Sequence, residues 1–232
     1  MATLVVVHGA WNSSWAWKKM RPLLQAAGHE VFTPCLTGVG ERSHLATPEV
    51  GLETHIQDVV NVLFYEDLRD VTLIAHSYGG IVATGAADQA SERIRQVVYL
   101  DAFVPRDGQS LADLSPGSRF AEPPTSADDW RIEPNPIPSD TAPDDLAWIM
   151  ERRVPQPRKT FVEPVRLSGA IDQLPRAYIY CLRATPSDVF RQFATRAQSE
   201  PGWRYEEIDA SHSPNITAPQ ALAEILLRLA AY

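Results

Sequence analysis

The sequence predicts an α/β fold with a mostly parallel central sheet flanked by helices. Short apolar runs at residues 4–7, 71–75 and 96–100 have the length and β-branched content of buried strands. Between these runs, apolar residues recur at helical spacing instead, as in the stripe over residues 52–64. Strands that alternate with helices form a parallel sheet, because each helix returns the chain to the same end of the sheet. The length of 232 residues suits one such domain.

The remaining elements continue this alternation. Further strands are predicted at residues 29–33, 177–182 and 203–208. Further helices are predicted at residues 15–24, from Ile81 onward, at 187–198 and at the C-terminus. In the last helix Thr217 is the predicted N-cap, because Gln220 follows three residues later as in a capping box.

The alternation stops between residues 105 and 175, a segment that contains 12 of the 19 prolines. One helix is expected there, at residues 144–154, with an apolar face formed by Leu146, Ile149 and Met150. The segment is too short and too rich in proline to build a core of its own. We therefore expect a single domain, with a core at 1–104 and 176–232 and a cap at about 105–175.

The composition excludes several classes of function. The formal net charge of −8 argues against nucleic acid or an anionic membrane as a partner, since both require a basic surface. Two cysteines, Cys35 and Cys181, are too few for a disulfide framework. His44 and His55 have no third ligand at a useful spacing, so we expect no metal and no cofactor. With no long apolar run and no signal-peptide pattern, we expect a cytoplasmic protein. A monomer or homodimer is expected as well.

The clearest catalytic pattern lies at residues 73–82, where LIAH is followed by SYGG and a helical pattern. A serine at the apex of a sharp strand-to-helix turn forms a nucleophile elbow. Its neighbours must be small, because strand and helix approach closely; Ala75 replaces the first glycine of G-x-S-x-G and Gly79 keeps the second. We predict that Ser77 is a nucleophile, the alternative being an ordinary turn with a surface serine.

A serine hydroxyl needs a base within hydrogen-bonding reach. His212 directly follows the last predicted strand, and in a parallel sheet this loop lies at the same edge as the elbow, so His212 is the predicted base. His8 and His76 lie at strand ends and are expected to support the neighbouring loops. The small-residue loop that begins at Gly9 occupies the place where such folds put a backbone donor for an oxyanion.

The sequence resembles the α/β-hydrolase superfamily, and within it the small branch of plant methylesterases, hydroxynitrile lyases and related bacterial esterases. The residues that carry the resemblance are VHGAW at 7–11, RPLL at 21–24, GH at 28–29, HSYGG at 76–80, and His212 before an amphipathic last helix. The resemblance implies an α/β-hydrolase fold whose cap is inserted after the strand ending near Leu100.

The resemblance also implies a serine-hydrolase mechanism, with the backbone N–H groups of Ala10 and Tyr78 as the oxyanion hole. The lyases of this branch carry a lysine after the catalytic histidine and a threonine after the first strand's histidine. Ser213 and Gly9 take these places here, which argues against cyanohydrin cleavage.

The acid of the triad is the open question. The resembling proteins place an aspartate in the loop that reads LRAT here, at residues 182–185, where no carboxylate is present. Asp101, directly after Leu100, takes a position that some α/β hydrolases use for the acid. Asp188 is the alternative, although the helix dipole alone explains an aspartate in a first turn. A third possibility is that His212 has no carboxylate partner, and Asp209 is interpreted as a loop-shaping residue.

The expected function is hydrolysis of a small or medium, aromatic or alicyclic carboxylic ester through an acyl-enzyme on Ser77. The residues expected to line the substrate pocket are Gly9, Trp11, Phe103, Trp130 and Trp148, although Trp11 could equally belong to the core. The alternatives are a non-catalytic small-ligand receptor on the same fold, or hydrolysis of a lactone, thioester or amide, or C–C cleavage. A dehalogenase is disfavoured, since it would require a carboxylate at position 77.

Overall fold

The core of the molecule is a six-stranded parallel sheet with helices on both faces. A computed structural model describes residues 1–126, 128–183 and 188–231 of the chain. The strands are β1 (Thr3–Val7), β2 (Glu30–Phe32), β3 (Val71–His76), β4 (Ile94–Leu100), β5 (Arg131–Ile132), β6 (Gln156–Pro157), β7 (Arg176–Cys181) and β8 (Trp203–Ile208). The main sheet has the order β2-β1-β3-β4-β7-β8, and each of these pairings is parallel. The predicted fold class is therefore confirmed.

The helices fill the connections between these strands. They are α1 (Met20–Ala26), α2 (Leu52–Tyr65), α3 (Gly79–Gln89), α4 (Leu111–Leu114), α5 (Pro143–Met150), α6 (Lys159–Val162), α7 (Arg191–Ser199), α8 (Pro214–Thr217) and α9 (Pro219–Ala230). Short 3₁₀ turns lie at Ser14–Trp17, Gly40–Leu45, Ser91–Arg93 and Ala170–Gln173. In the part of the chain that the structure describes, no helix is long and apolar enough to cross a membrane.

Four predicted helices differ in detail from the structure. The cap helix expected at residues 144–154 is α5, which ends at Met150. The one expected at residues 15–24 is a 3₁₀ turn followed by α1, and the start predicted at Ser187 lies outside the described residues. Thr217 does not cap the last helix: it belongs to α8, and Ala218 precedes Pro219, which begins α9. The reason is local, because a proline supplies no N–H and is favoured in the first turn of a helix.

The two faces of the sheet pack against separate apolar clusters. Val5 and Val7 of β1 face the cluster formed with α2 and α3, whereas Leu4 and Val6 face the one formed with α1 and α9. This alternation follows from the two-residue period of a strand. Central strands covered on both faces must be apolar throughout, which explains the continuous β-branched run of β1.

The segment between β4 and β7 covers the carboxyl edge of the sheet. It contains α4, α5, α6 and a small antiparallel pair in which Ile132 of β5 lies opposite Gln156 of β6. We call this segment the cap. Its return to the core is fixed by Asp88, whose carboxylate accepts hydrogen bonds from the N–H groups of Ser168, Gly169 and Ile171 at 2.6 to 3.1 Å.

The apolar face predicted for α5 is only partly correct. Ile149 is buried, but the side chains of Leu146 and Met150 are 41% and 65% exposed. They line a groove of about 470 Å³ between α5 and residues 133–137, and Arg153 also borders this groove.

Candidate active site

Ser77 lies at the apex of the turn from β3 into α3, with the left-handed φ of +57° that a nucleophile elbow requires. Such a φ is uncommon for a residue with a side chain and needs support from its surroundings. The Ser77 carbonyl accepts the N–H of Phe103 at 3.2 Å. A Cβ added to Gly79 would lie 2.3 Å from the Val7 carbonyl oxygen, and one on Gly80 would lie 2.1 Å from that of Phe103. Both glycines are therefore required for the close approach of strand and helix.

His212 connects Ser77 to a carboxylate. Its Nε2 lies 2.9 Å from Ser77 Oγ, and its Nδ1 lies 2.7 Å from Asp101 Oδ2. A carboxylate only accepts hydrogen bonds, so Nδ1 carries the proton and Nε2 is free to accept the serine proton. The imidazole also stacks on Phe190, with ring centroids 4.7 Å apart and 13° between the planes. The ring is thus held in the orientation that a general base for Ser77 requires.

Of the three aspartates considered from the sequence, Asp101 is the one hydrogen-bonded to His212. It follows β4 directly, with a side chain only 6% exposed. The Asp188 carboxylate instead accepts the Tyr180 hydroxyl at 2.5 Å and the N–H groups of Phe190 and Arg191 at 3.1 Å. Asp209 is an exposed partner of Arg183 at 2.8 Å.

The two histidines at strand ends hold loops in place and remain neutral. His76 Nε2 donates to the carbonyl oxygen of His212 at 2.6 Å, and burial together with repulsion from His212 lowers the pKa of His76 to about 3. His8 donates to the Gly9 carbonyl at 2.9 Å and accepts the Leu36 N–H at 3.2 Å, and burial lowers the pKa of His8 to about 4. Neither group titrates at neutral pH, so both act as hydrogen-bonding supports.

The backbone donors predicted at Ala10 and Tyr78 lie where the loop after β1 meets the start of α3. A Cβ on Gly9 would lie 3.1 Å from Ser77 Cβ, so this loop passes directly beside the serine. Among the described residues, neither the Ala10 N–H nor the Tyr78 N–H donates a hydrogen bond within the protein. Two free N–H groups beside a serine are the arrangement needed to bind an oxyanion.

The aromatic residues predicted for the pocket fall into two groups. Phe103 packs against Phe190, which in turn stacks on His212, so it lies close to the site. Trp11 is only 5% exposed and belongs to the contact between the loop and the cap. The Trp130 ring lies under the Arg131 guanidinium, and the Trp148 ring contacts Trp15 and Arg152; their place in the pocket stays a prediction.

Within the described chain, no ring contact of Trp130 or Trp148 reaches Ser77 or His212. Phe190 was not assigned to the site from the sequence, although its place in the helix predicted after the strand at 177–182 was a usable signal. Among the same residues, no group of three or more His, Cys, Asp and Glu side chains is placed to hold a metal ion.

A parallel sheet with a serine elbow, and with a histidine after its last strand, defines the class of α/β hydrolases. Residues 4–225 match the Alpha/beta hydrolase family. The chain therefore belongs to this family.

Individual relatives narrow the class. A carbendazim hydrolyzing esterase from Nocardioides sp. (strain SG-4G) is 40% identical over 246 residues, with 99% of this chain and 100% of that protein covered. Methylesterase 9 from Arabidopsis thaliana is 36% identical over 107 residues, 45% of this chain and 41% of that protein. Among solved structures, an extracellular alpha/beta-hydrolase from a Paenibacillus species has a TM-score of 0.87 and 26% identity, with both chains covered completely. The present protein is a carboxylic ester hydrolase.

Proposed function

We propose that the protein is a serine esterase that works through an acyl-enzyme on Ser77. The observation that carries this proposal is the position of His212, within 2.9 Å of Ser77 Oγ and 2.7 Å of Asp101 Oδ2. A serine hydroxyl that is hydrogen-bonded to an imidazole, which is in turn hydrogen-bonded to a carboxylate, is the arrangement that activates serine as a nucleophile.

The proposed reaction has two steps. Ser77 Oγ attacks the ester carbonyl carbon while His212 Nε2 takes the serine proton, and Asp101 stabilises the resulting imidazolium. The carbonyl oxygen becomes an oxyanion that the N–H groups of Ala10 and Tyr78 bind, a contribution of about 3 kcal/mol per donor. His212 then protonates the departing alcohol. In the second step, a water molecule attacks the acyl-enzyme with His212 as the base, and the acid is released.

The proposed substrates are small or medium carboxylic esters with an aromatic or alicyclic group. Phe103 and Phe190 supply an apolar wall beside His212. The groove along α5 adds apolar surface, and the Arg153 guanidinium at its border lies over the Trp11 ring, one residue from Ala10. Plant relatives are named methylesterases, which supports a small leaving alcohol. Lactones, thioesters and amides would use the same groups and are to be assayed beside the esters.

Labelling by a fluorophosphonate probe, with turnover of p-nitrophenyl butyrate alongside, tests the nucleophile. We expect the parent to label and to turn over, and Ser77→Ala to lose both. Ser199→Ala is the matched control, because Ser199 is exposed at the end of α7. A folded parent that neither labels nor turns over would contradict the proposal and favour a ligand receptor. A cytoplasmic location and a monomeric or homodimeric state stay predictions, which fractionation and light scattering test.

A further inference from the structure

Trp11, the residue that follows the candidate oxyanion donor Ala10, is held in an unusual conformation. Its φ is +60°, in the left-handed region that bulky side chains rarely adopt. A residue keeps such a conformation only where the surrounding structure fixes it. For Trp11 the supporting hydrogen bonds come from the cap rather than from residues adjacent in the sequence.

Both N–H groups of Trp11 donate to the β5–β6 pair of the cap. The backbone N–H donates to Gln156 Oε1 at 2.9 Å, and the indole N–H donates to the Ile132 carbonyl at 2.8 Å. Gln156 and Ile132 lie opposite each other across the β5–β6 pair. One rigid element therefore holds the backbone and the side chain of Trp11.

Gln156 is itself fixed in one orientation. Its side chain is almost completely buried, and its Nε2 donates to Thr160 Oγ1 at 2.8 Å. The Thr160 hydroxyl donates to the Pro157 carbonyl at 2.7 Å, so it can only accept from the amide. The amide nitrogen must face Thr160, which leaves Oε1 to receive the Trp11 N–H.

The cap also reaches the second candidate donor. The ring of Phe161, the residue after Thr160, lies 5.7 Å from the Trp11 ring and 5.6 Å from the Tyr78 ring, measured between centroids. The Tyr78 hydroxyl is 2.8 Å from His55 Nδ1, and His55 Nε2 donates to the Thr37 carbonyl at 2.7 Å. Trp11, which follows one candidate donor, and Tyr78, which carries the other, therefore both contact Phe161 of the cap.

We propose that Gln156 is a positioning residue that sets the oxyanion hole through the Trp11 N–H. This inference rests on the proposed esterase function and adds a residue to it. The Gln156 bond fixes the peptide on the carboxyl side of Ala10 and so limits how the Ala10 N–H can turn away from Ser77. Donors that are already oriented stabilise the oxyanion without reorganisation during the reaction. Loss of the bond should therefore lower kcat rather than weaken substrate binding.

The effect should also be independent of pH around neutrality. Gln156 and Thr160 carry no charge, and burial lowers the pKa of His55 to about 4, so this histidine stays neutral. A variant that acts through the oxyanion hole therefore keeps the pH profile of the parent. A variant that disturbs His212 would change that profile, which separates the two explanations.

The test compares Gln156→Met, Gln156→Glu and the parent in turnover of p-nitrophenyl butyrate. Methionine has a similar length but provides no amide, and we expect kcat to fall about 10- to 100-fold, less than the 10²- to 10³-fold cost of deleting a donor outright. KM should stay within about twofold and the fluorophosphonate labelling rate should fall with kcat, because the attached phosphoryl oxygen uses the same donors. Glutamate keeps an acceptor for the Trp11 N–H and should restore most of kcat, with the Thr160 hydroxyl turned away from the Pro157 carbonyl to donate to the second carboxylate oxygen.

Arg158→Gln is the matched control for general disturbance of the cap. Arg158 follows β6 directly and binds the Asp129 carboxylate at 2.9 Å, without a contact to Trp11. If Gln156→Met does not fold, Thr160→Val tests the Gln156–Trp11 bond indirectly, because Thr160 orients the Gln156 amide. We expect a smaller fall in kcat and again an unchanged KM. An unimpaired kcat in the folded variants, or an equal loss in Arg158→Gln, would overturn the role of Gln156 but leave the proposed esterase function standing. An inactive parent protein would overturn both.

Discussion

Replacing Asp101 by asparagine tests which carboxylate completes the candidate triad. The substitution is well matched to the position, because Asp101 has a φ of +42° and asparagine is among the few residues that tolerate the left-handed region. Asparagine also has the same size, and its amide oxygen can still accept the weak 3.4 Å contact from the Cys181 N–H. We therefore expect Asp101→Asn to fold, so that a loss of activity reflects the catalytic step rather than a loss of stability.

The size of the effect follows from the geometry at His212. Asp101 Oδ2 lies 2.7 Å from Nδ1, and an amide NH₂ at this place would donate to Nδ1 instead of accepting from it. The imidazole proton would then move to Nε2, which faces Ser77 Oγ at 2.9 Å and could no longer accept its proton. In serine proteases this change of tautomer lowers kcat by about 10⁴. This fall in kcat corresponds to an increase of about 5.4 kcal/mol in the activation free energy.

The assay is kcat for p-nitrophenyl butyrate, with Asp188→Asn measured beside Asp101→Asn. The Asp188 carboxylate accepts the Tyr180 hydroxyl and the Arg191 N–H, which an asparagine oxygen can still accept, so its variant should lose at most about 1 kcal/mol of stability and keep kcat within about threefold. A collapse of kcat in Asp188→Asn with little loss in Asp101→Asn would refute the assignment. Equal activity of both variants and the parent would instead mean that His212 works without a carboxylate.

Three further changes address stability. Gly80→Ala should lower the unfolding free energy by about 2–3 kcal/mol in urea melts, because its Cβ would lie 2.1 Å from a backbone oxygen of Phe103. Asp88→Ala should cost about 2–3 kcal/mol, since its carboxylate accepts three N–H groups where the cap rejoins the core. The fold should also weaken as pH falls from 6.5 towards 4, by up to about 1.4 kcal/mol per pH unit for each buried neutral histidine. These histidines are His8, His55 and His76.

Each of these predictions has a control. Gly108→Ala should cost only about 1 kcal/mol, because Gly108 has a φ of +77° but open space around it. An equal cost for Gly80→Ala would refute the steric argument. Asp88→Asn should recover part of the Asp88→Ala loss. For the histidines, folded-state pKa values below the unfolded value of about 6.5 mean that stability is complete above pH 6.5 and lost below it. His55→Gln should flatten this slope, and an unchanged slope would contradict the reasoning.

The sequence was sufficient where the signal is local. The Ser77 turn depends on consecutive residues, and the apolar runs are long enough to predict all six strands of the main sheet. The position of His212 followed from one topological rule, since loops after parallel strands share an edge. The choice between Asp101 and Asp188 did not follow, because both lie near that edge. It depends on a few ångströms set by the register of β4 and β7.

The cap was the least predictable part for a physical reason. Its helices are short and its prolines interrupt periodicity, so apolar residues there do not reveal which side they face. Leu146 and Met150 have the spacing of a buried stripe but line an exposed groove. Trp148 packs on Trp15, at 5.0 Å between ring centroids, a contact that its sequence neighbours do not indicate. Composition identifies such side chains as apolar, and only the tertiary packing assigns them a neighbour.

Trp11 is a residue whose role depends on both the local sequence and the tertiary packing. The sequence allowed it to be either a pocket wall or core, because its environment is set by Ile132 and Gln156, more than a hundred residues away. The core supplies the serine, the base and the acid, whereas the cap supplies the contacts that hold the loop carrying Ala10. A change in the cap can therefore alter the chemical step itself as well as the substrate that fits. For relatives with different caps on this core, differences in kcat at equal KM are the expected consequence.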